Sequence, residues 1–178
     1  MIDGATKDRQ SITSDWVPLI KPIEGVRIRE VTNVLRNNGV LTEVFRADWK
    51  LDEGIVQQVF QTTIVPSGLS AWHVHQFTTD RLFVSLGVLK VVLFDGRDDS
   101  PSRGCINEFR FGAQRPALVV VPPGVWHGVQ NIGDTPGLLL NLVDQAYRYE
   151  DPDHWRLPPD TPNIPYSFAT GRLAAGPR

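Results

Sequence analysis

The chain has 178 residues, of which 41% are hydrophobic and 21% are charged. This length and balance suit one well-buried domain and exclude wholesale disorder, so we expect residues 1–178 to form a single domain. The formal net charge of -2, without a basic stripe, argues against a nucleic-acid partner. The longest apolar runs are too short to cross a bilayer, which argues against a membrane partner. The single cysteine cannot form an internal disulfide, and we expect a cytoplasmic protein.

Short β-rich runs separated by turn residues occupy the middle of the chain, and helical periodicity is weak throughout. Turn sequences such as Pro66-Ser67-Gly68 and Pro122-Pro123-Gly124 separate several of the runs. The runs predict strands over residues 39–45, 56–65, 71–75, 81–87, 88–94, 106–111, 118–121, 128–131 and 137–143. This pattern predicts an all-β fold of the antiparallel sandwich or barrel type.

The two ends of the chain differ from this middle. Residues 1–22 are polar at first and then contain Trp16, Leu19 and Ile20, which predicts an N-terminal arm that packs on another surface. Residues 158–178 form a Pro-rich C-terminal tail. We expect no regular secondary structure in the tail, although its composition is compatible with an ordered lid over the mouth of a barrel.

Three of the four histidines fall in two short segments. His73 and His75 are two residues apart in a predicted strand, so their side chains point to the same face. His127 lies in the second segment. Each imidazole can act as a proton-transfer group or as a metal ligand. The fourth histidine, His154, is expected on the surface in a short helical turn.

The spacing around these histidines resembles two motifs of the cupin superfamily. The first motif comprises His73, His75, Asp80 and Gly87, with aspartate where glutamate is usual. The second motif, Pro-x-Gly-x-x-His-x-x-x-Asn, is matched at every fixed position by Pro122-Pro123-Gly124-Val125-Trp126-His127-Gly128-Val129-Gln130-Asn131. The resemblance implies an all-β cupin fold, a double-stranded β-helix or jelly-roll barrel, with little helix.

A narrower resemblance, to the dTDP-4-dehydrorhamnose 3,5-epimerase family, spans residues 39–160. The segment Asp95-Gly96-Arg97-Asp98-Asp99-Ser100-Pro101-Ser102-Arg103-Gly104 is similar to that family's Asp-x-Arg-x-x-Ser-Pro-Thr-x-Gly. The resemblance implies an epimerase or isomerase that needs no cofactor and removes the proton next to the ketone of a keto sugar, which is nucleotide-linked in that family. It also implies a homodimer, because the family donates an N-terminal strand to its neighbour.

The same resemblance implies a role for each matching residue. His73 corresponds to the catalytic base, and Asp160 corresponds loosely to the aspartate that orients it. Arg81, two positions from that family's lysine, would stabilise the enolate. The residues that correspond to substrate-binding positions, or that face the same cavity, are Glu43, Arg46, Gln58, His127 and Asn141.

Asn141 marks the main departure from that family, because it stands where the family has its catalytic tyrosine and an amide cannot donate a proton. Two phosphate-binding arginines of the family are also replaced, by Asn38 and Ser70. His75 is an addition to the template. It resembles the second histidine of the His-x-His pair that sugar-nucleotide 3,4-ketoisomerases use as base and acid, which implies that His75 is the acid.

Two other functions are compatible with these residues. In one, the chain is a metal-dependent cupin enzyme in which His73, His75, Asp80 and His127 bind one divalent transition metal. In the other, it is a non-catalytic sugar-binding cupin. A salt bridge between Arg81 and Asp80 would favour the metal-free functions, because the cation would neutralise the carboxylate.

Overall fold

The structure, a computed structural model, describes residues 2–169 and 171–172. In this part the chain is almost entirely β, with one 3-10 helix at Ala47–Trp49. No helix among these residues is long and apolar enough to cross a membrane. The strands in chain order are β1 (Arg27–Glu30), β2 (Asn33–Arg36), β3 (Gly39–Thr42), β4 (Gln58–Ile64), β5 (Leu69–Val74), β6 (Asp80–Leu86), β7 (Val88–Asp95), β8 (Ile106–Gly112), β9 (Ala117–Val121), β10 (Val125–Asn131), β11 (Gly137–Val143), β12 (Trp155–Arg156), β13 (Tyr166–Ser167) and β14 (Gly171–Arg172).

Two five-stranded antiparallel sheets form the barrel. One has the strand order β1-β9-β6-β11-β4 and the other has the order β12-β5-β10-β7-β8. Aliphatic and aromatic side chains from both sheets form the core, and β9, with the sequence Ala-Leu-Val-Val-Val, is buried at every position. Each large aliphatic side chain stabilises the fold by about 1.5–3 kcal/mol when it leaves water. The all-β class predicted from the sequence is confirmed.

Gly87 carries the chain from one sheet to the other between β6 and β7. Its φ is +73°, in the left-handed region, and a Cβ there would lie 2.8 Å from Cα of Gly137. Only glycine meets both conditions without strain. β6 begins at Asp80 and ends next to Gly87, so Asp80 lies at the end of the strand that is far from this crossing.

Most predicted strands recur with ends shifted by a few residues, and two differences matter for function. β10 begins at Val125 rather than at residue 128, so His127 lies inside a strand that pairs with β5. The sequence did not predict β12, a two-residue strand that pairs with β5 along its other edge. A strand this short shows no alternating pattern, and Pro158 follows it closely.

The N-terminal arm is irregular and mostly exposed. Its apolar residues Val17, Leu19 and Ile20 face solvent in the single chain, so the surface on which we expect them to pack is not on their own barrel. The arm joins the barrel where the N–H of Ile23 donates a hydrogen bond to Asn107.

The C-terminal tail packs against the barrel wall. Tyr166 and Phe168 are buried against Trp72, and β13 pairs with β14. The expectation of no regular structure was therefore wrong, because the prolines at 158, 159, 162 and 165 all precede Tyr166 and leave the residues directly after them able to pair. Residues 170 and 173–178 of the tail lie outside the described residues.

Candidate functional site

A cavity of about 530 Å³ opens at the Asp80 end of β6. Strands β4, β5, β6, β10 and β11 form its walls, and residues 145–148 and 151–154, from the segment between β11 and β12, border it. Its volume lies in the range of about 300–1,000 Å³ that is typical of ligand-binding sites. The lining residues with side chains suited to chemistry or recognition include His73, His75, Asp80, His127, Asn141, Tyr147, His154 and Arg156.

All four histidines of the chain line this cavity. β5 carries His73, whose register partner on β10 is His127, while His75 follows the end of β5. Neighbouring rings lie 5.0–5.6 Å apart between centroids, in the cyclic order His73, His127, His75, His154. The expectation that His154 lies on the surface in a helical turn was wrong. β12 pairs with β5, and this pairing brings His154, the residue before β12, over the site.

Asp80, the first residue of β6, is the buried acid of this cluster and is 1% exposed. Its Oδ2 lies 3.3 Å from Nε2 of His75 and 3.3 Å from Nε2 of His127. Its Oδ1 accepts a hydrogen bond of 2.7 Å from the amide of Asn141. Burial alone would raise the pKa of Asp80, but the interactions with both histidines and Asn141 lower it to about 2. Asp80 is therefore ionised at neutral pH.

The imidazoles differ in their tendency to take up a proton. Burial lowers the pKa of His73 to about 3, with a further contribution from His127. Burial likewise lowers the pKa of His127. In His75, burial acts in the same direction, but Asp80 and the carbonyl of Asp153 outweigh it and the pKa is raised. His73 is therefore neutral at pH 7 and keeps a lone pair that can accept a proton.

Asp153 ties the segment before β12 to the loop after β5. Its carboxylate accepts hydrogen bonds from the N–H groups of Gln76, Phe77 and Thr78 at 2.7–2.9 Å. Its carbonyl oxygen accepts a hydrogen bond from Nδ1 of His75. These contacts hold His75 and His154 over the cavity. No sequence motif marks Asp153, and its only signal is its place beside a histidine.

Arg81 lies outside the cavity, which corrects its expected placement. Its fully buried guanidinium donates to the carboxylate of Asp52 and to the carbonyl oxygen of Gly54. Adjacent residues of a strand point to opposite faces, so a β6 that directs Asp80 into the cavity directs Arg81 away from it. Arg81 therefore neither pairs with Asp80 nor faces the cavity, where the role of enolate stabiliser would require it.

Asp160 also lies away from the place expected for it. It is exposed in a turn closed by a hydrogen bond from the N–H of Thr161 to the carbonyl of Pro158, and this turn keeps its side chain in solvent. The side chain beside His73 is instead Ser70, whose Oγ lies 3.1 Å from Nε2 of the imidazole. The predicted contact between Asp160 and His73 is not formed.

The five predicted substrate contacts divide into two groups. Gln58, His127 and Asn141 line the cavity. Glu43 and Arg46 form an exposed ion pair of 3.3 Å after β3 and do not line the cavity of their own chain. Any contact that they make with substrate would therefore require another chain.

Two further lining residues carry no motif in the sequence. Tyr147 follows β11, and its N–H donates a hydrogen bond of 2.7 Å to the side chain of Gln58. Arg156 on β12 is the register partner of His73. Both were missed because they belong to an irregular segment that only the pairing of β12 with β5 places at the cavity.

Two antiparallel sheets and a histidine-lined cavity at one end define a cupin. No protein-family model matches the chain. The chain is 35% identical over 139 residues to a probable low-salt glycan biosynthesis epimerase, Agl13, of Haloferax volcanii, across 78% of this chain and 89% of that protein. It is 30% identical over 148 residues to the spore coat polysaccharide biosynthesis protein SpsL of Bacillus subtilis, across 83% of this chain and 97% of that protein.

Solved structures give the same result. A dTDP sugar isomerase from Desulfovibrio desulfuricans G20 matches with a TM-score of 0.78 at 30% identity, across 85% of this chain and 95% of that chain. NovW from Streptomyces spheroides shares the fold with a TM-score of 0.74 at 20% identity, across 93% of this chain and 88% of that chain. The chain belongs to the family of cupins typified by the dTDP-sugar 3,5-epimerases, as a divergent member. The resemblance and the jelly-roll cupin fold predicted from the sequence are confirmed.

Proposed function

We propose that the protein is an epimerase or isomerase of a nucleotide-linked keto sugar, in which His73 removes the proton next to the ketone. The observation that carries this proposal is the neutral imidazole of His73 in a ligand-sized cavity. Membership of the family supports it, since the relatives include a protein named as an epimerase and one named as a dTDP sugar isomerase.

The proposed proton acceptor is the neutral imidazole of His73. The C–H bond next to the ketone breaks, its proton moves to the basic ring nitrogen, and its electron pair forms an enolate with the ketone oxygen. Ser70 orients the ring from 3.1 Å away. A pKa of about 3 makes His73 a weak base in the free protein, but the negative charge of a bound substrate raises the pKa of a nearby imidazole.

Epimerisation also needs an acid on the opposite face of the sugar ring. Asn141 cannot donate a proton, and the two ring nitrogens of His75 face Asp153 and Asp80, so the acid role expected for His75 does not fit its contacts. Tyr147 lines the cavity from a different element, and its phenol is the group that we propose as the acid.

Arg156 is the residue that we propose as a contact for the diphosphate of the substrate. It lines the cavity directly opposite His73, on the neighbouring strand. A guanidinium binds phosphate oxygens through paired N–H groups, which supplies part of what the replaced arginines of the family would provide.

Incubation with a dTDP-linked 4-keto-6-deoxy sugar tests this function, with NMR identification of the product. We expect conversion to an epimer or a keto-isomer by the wild type and none by His73→Asn. Unchanged substrate across a panel of dTDP-, UDP- and GDP-linked keto sugars would contradict the proposal and favour a non-catalytic sugar-binding cupin.

We further propose that the protein is a homodimer in the cytoplasm. The exposed apolar residues of the arm, Val17, Leu19 and Ile20, and the edge strand β4 with exposed Val59 and Phe60 support a second copy as partner. Size-exclusion chromatography with light scattering should give twice the chain mass of 19.9 kDa. A monomer at micromolar concentration would contradict the dimer.

A further inference from the structure

The outer face of the sheet that contains β5 and β10 adjoins two of the cavity histidines. Trp72 precedes His73 on β5, and Gly128 follows His127 on β10. Because side chains alternate along a strand, the two histidines face the cavity and their neighbours face outward. Trp72 is nevertheless fully buried, because the C-terminal tail covers this outer face. A contact of the tail here therefore lies one residue away from a cavity histidine.

The ring of Phe168, in the tail, lies directly on the backbone of β10. A Cβ at Gly128 would be 2.7 Å from Cζ of Phe168, which is closer than carbon atoms approach one another without strain. Only glycine admits the ring at this distance. The same ring lies 5.0 Å from the ring of Trp72, measured between centroids. One side chain of the tail therefore packs beside both strands that carry the histidines.

Three polar residues, Lys90, Glu108 and Tyr166, form what we call the tail anchor. Nζ of Lys90 on β7 donates a hydrogen bond of 3.0 Å to the carbonyl oxygen of Phe168 and lies 5.4 Å from the centre of its ring. The hydroxyl of Tyr166 donates a hydrogen bond of 2.6 Å to Glu108 on β8. Lys90 is only 6% exposed, and a buried ammonium group is stable only where it has partners. The sheet therefore holds the tail through a buried charge as well as through apolar packing.

The tail also begins at the strand that it covers. Arg156 is the register partner of His73. The next residue, Leu157, forms two backbone hydrogen bonds with Trp72, of 2.9 and 3.2 Å. Both the start of the tail and the ring of Phe168 thus contact β5. A shift of this ring would change the support of β5 on its outer face and move the histidine on its inner face.

We propose that Phe168 is a positioning residue for the cavity histidines. Its ring supports β10 at Gly128 and β5 at Trp72, and this support fixes the imidazole of the adjacent residue on each strand. Misplacement of a reacting group by about 1 Å can lower a rate about a hundredfold. The consequence for turnover rests on the proposed function, in which His73 is the base, whereas the supporting role does not.

Histidine NMR tests the supporting role without a substrate. All four histidines of the chain line the cavity, so the ring protons of the histidines report on this site alone. The rings of His73 and His127 lie 5.2 Å apart between centroids, a separation suited to a nuclear Overhauser effect (NOE) between their protons. Phe168→Leu should weaken this NOE, and Phe168→Ala should abolish it. Lys90→Met, which loses only the donor to the tail, should weaken it least.

Phe111→Leu is the matched control. Phe111 is a buried phenylalanine of β8 in the other core cluster, and its register partner Leu89 lies two residues after Gly87, at the end of the barrel far from the cavity. The control should keep the NOE. With a keto sugar that the wild type converts, Phe168→Leu should lower kcat about tenfold to a hundredfold and change KM less than about twofold. Phe111→Leu should leave both constants unchanged.

Circular dichroism confirms that each variant is folded, and Phe168→Leu gives the result if Phe168→Ala is not. An unchanged NOE in folded Phe168 variants, an equal loss in Phe111→Leu, or a wild-type kcat in Phe168→Leu would overturn the positioning role. An unchanged NOE in Lys90→Met would remove Lys90 from the tail anchor. The expected losses of the NOE, without conversion of any keto sugar by the wild type, would overturn the proposed function alone.

Discussion

Asp80 and Asp95 are both buried carboxylates, and their surroundings are opposite. Asp95 accepts hydrogen bonds from Nε and Nη2 of Arg97 at 2.9 Å and from the hydroxyls of Ser100 and Ser102 at 2.5 Å. Every one of these partners is a donor. Burial would raise the pKa of Asp95, but these donors hold it far below its usual range.

Asp80 accepts one short hydrogen bond, from the amide of Asn141, and its Oδ2 lies 3.3 Å from Nε2 of His75 and from Nε2 of His127, both of which line the cavity. A carboxylate enclosed by fixed donors stabilises the fold, whereas one beside titratable imidazoles in a cavity is available for function. The Asp95 loop and the histidine cluster should therefore respond to substitution in opposite ways. Changes at the cluster should abolish activity and spare stability, and changes at the loop should do the reverse.

His73→Asn should have the largest effect. Removal of the base should lower kcat by about 10²–10⁴-fold, which is the usual contribution of general base catalysis. Asparagine keeps a polar side chain beside Ser70, so the Tm should stay within a few degrees of the wild type. Steady-state kinetics and differential scanning calorimetry measure the two quantities, and wild-type kcat in a folded variant would refute the assignment of the base.

Tyr147→Phe should have the next largest effect. Loss of the phenolic proton should slow formation of the inverted product by about a hundredfold, while proton removal by His73 continues. The phenyl ring keeps the packing, so stability should not change. NMR should show solvent deuterium in the recovered substrate but little epimer. Equal losses of exchange and of epimerisation would argue against an acid role for Tyr147.

Asp95→Asn and Asp80→Asn form a matched pair that tests the comparison itself. Asp95→Asn leaves the buried side of Arg97 without its anion and should lower the free energy of unfolding by about 2–3 kcal/mol. Asp80→Asn should lower it by less, because the new side chain keeps an oxygen that can accept the hydrogen bond from Asn141. Urea unfolding of both variants measures this difference. An equal loss in the two would show that their surroundings are equivalent.

The contribution of Asp95 to stability should depend on pH with a defined sign. Its pKa is lower in the folded than in the unfolded chain, so its stabilising effect is complete above the unfolded value of about 4 and disappears as the pH falls below it. The stability difference between the wild type and Asp95→Asn should be constant from about pH 8 to 5 and shrink toward pH 2. A difference that grows on acidification would contradict the lowered pKa.

Arg156→Ala should have the smallest effect. Loss of one phosphate contact should raise KM by about tenfold, with little change in kcat. The matched control is Arg103→Ala, which removes an exposed guanidinium paired with Asp98. The control should leave both constants unchanged. An equal KM in the wild type and Arg156→Ala would remove Arg156 from the substrate site.

The sequence predicted the parts of the site that lie on regular strands with recognisable spacing. His73, His75 and His127 belong to motifs whose residues alternate along paired strands, so their convergence could be foreseen. The same alternation accounts for the position of Arg81. The prediction for Arg81 relied on its similarity to a lysine position of the family and not on the face of the strand to which its side chain points. His154 could not be foreseen, because its position depends on a two-residue strand and on hydrogen bonds of Asp153 to a distant loop.

Deuterium exchange is the most direct test of the central claim that His73 removes a proton from a bound keto sugar. The wild type and His73→Asn are incubated in D₂O with a dTDP-linked 4-keto-6-deoxy sugar, and NMR follows the hydrogen next to the ketone. We predict that the wild type replaces this hydrogen with deuterium and that His73→Asn does so at the rate of the protein-free control. Equal exchange by both proteins, or no exchange by either, would contradict the claim.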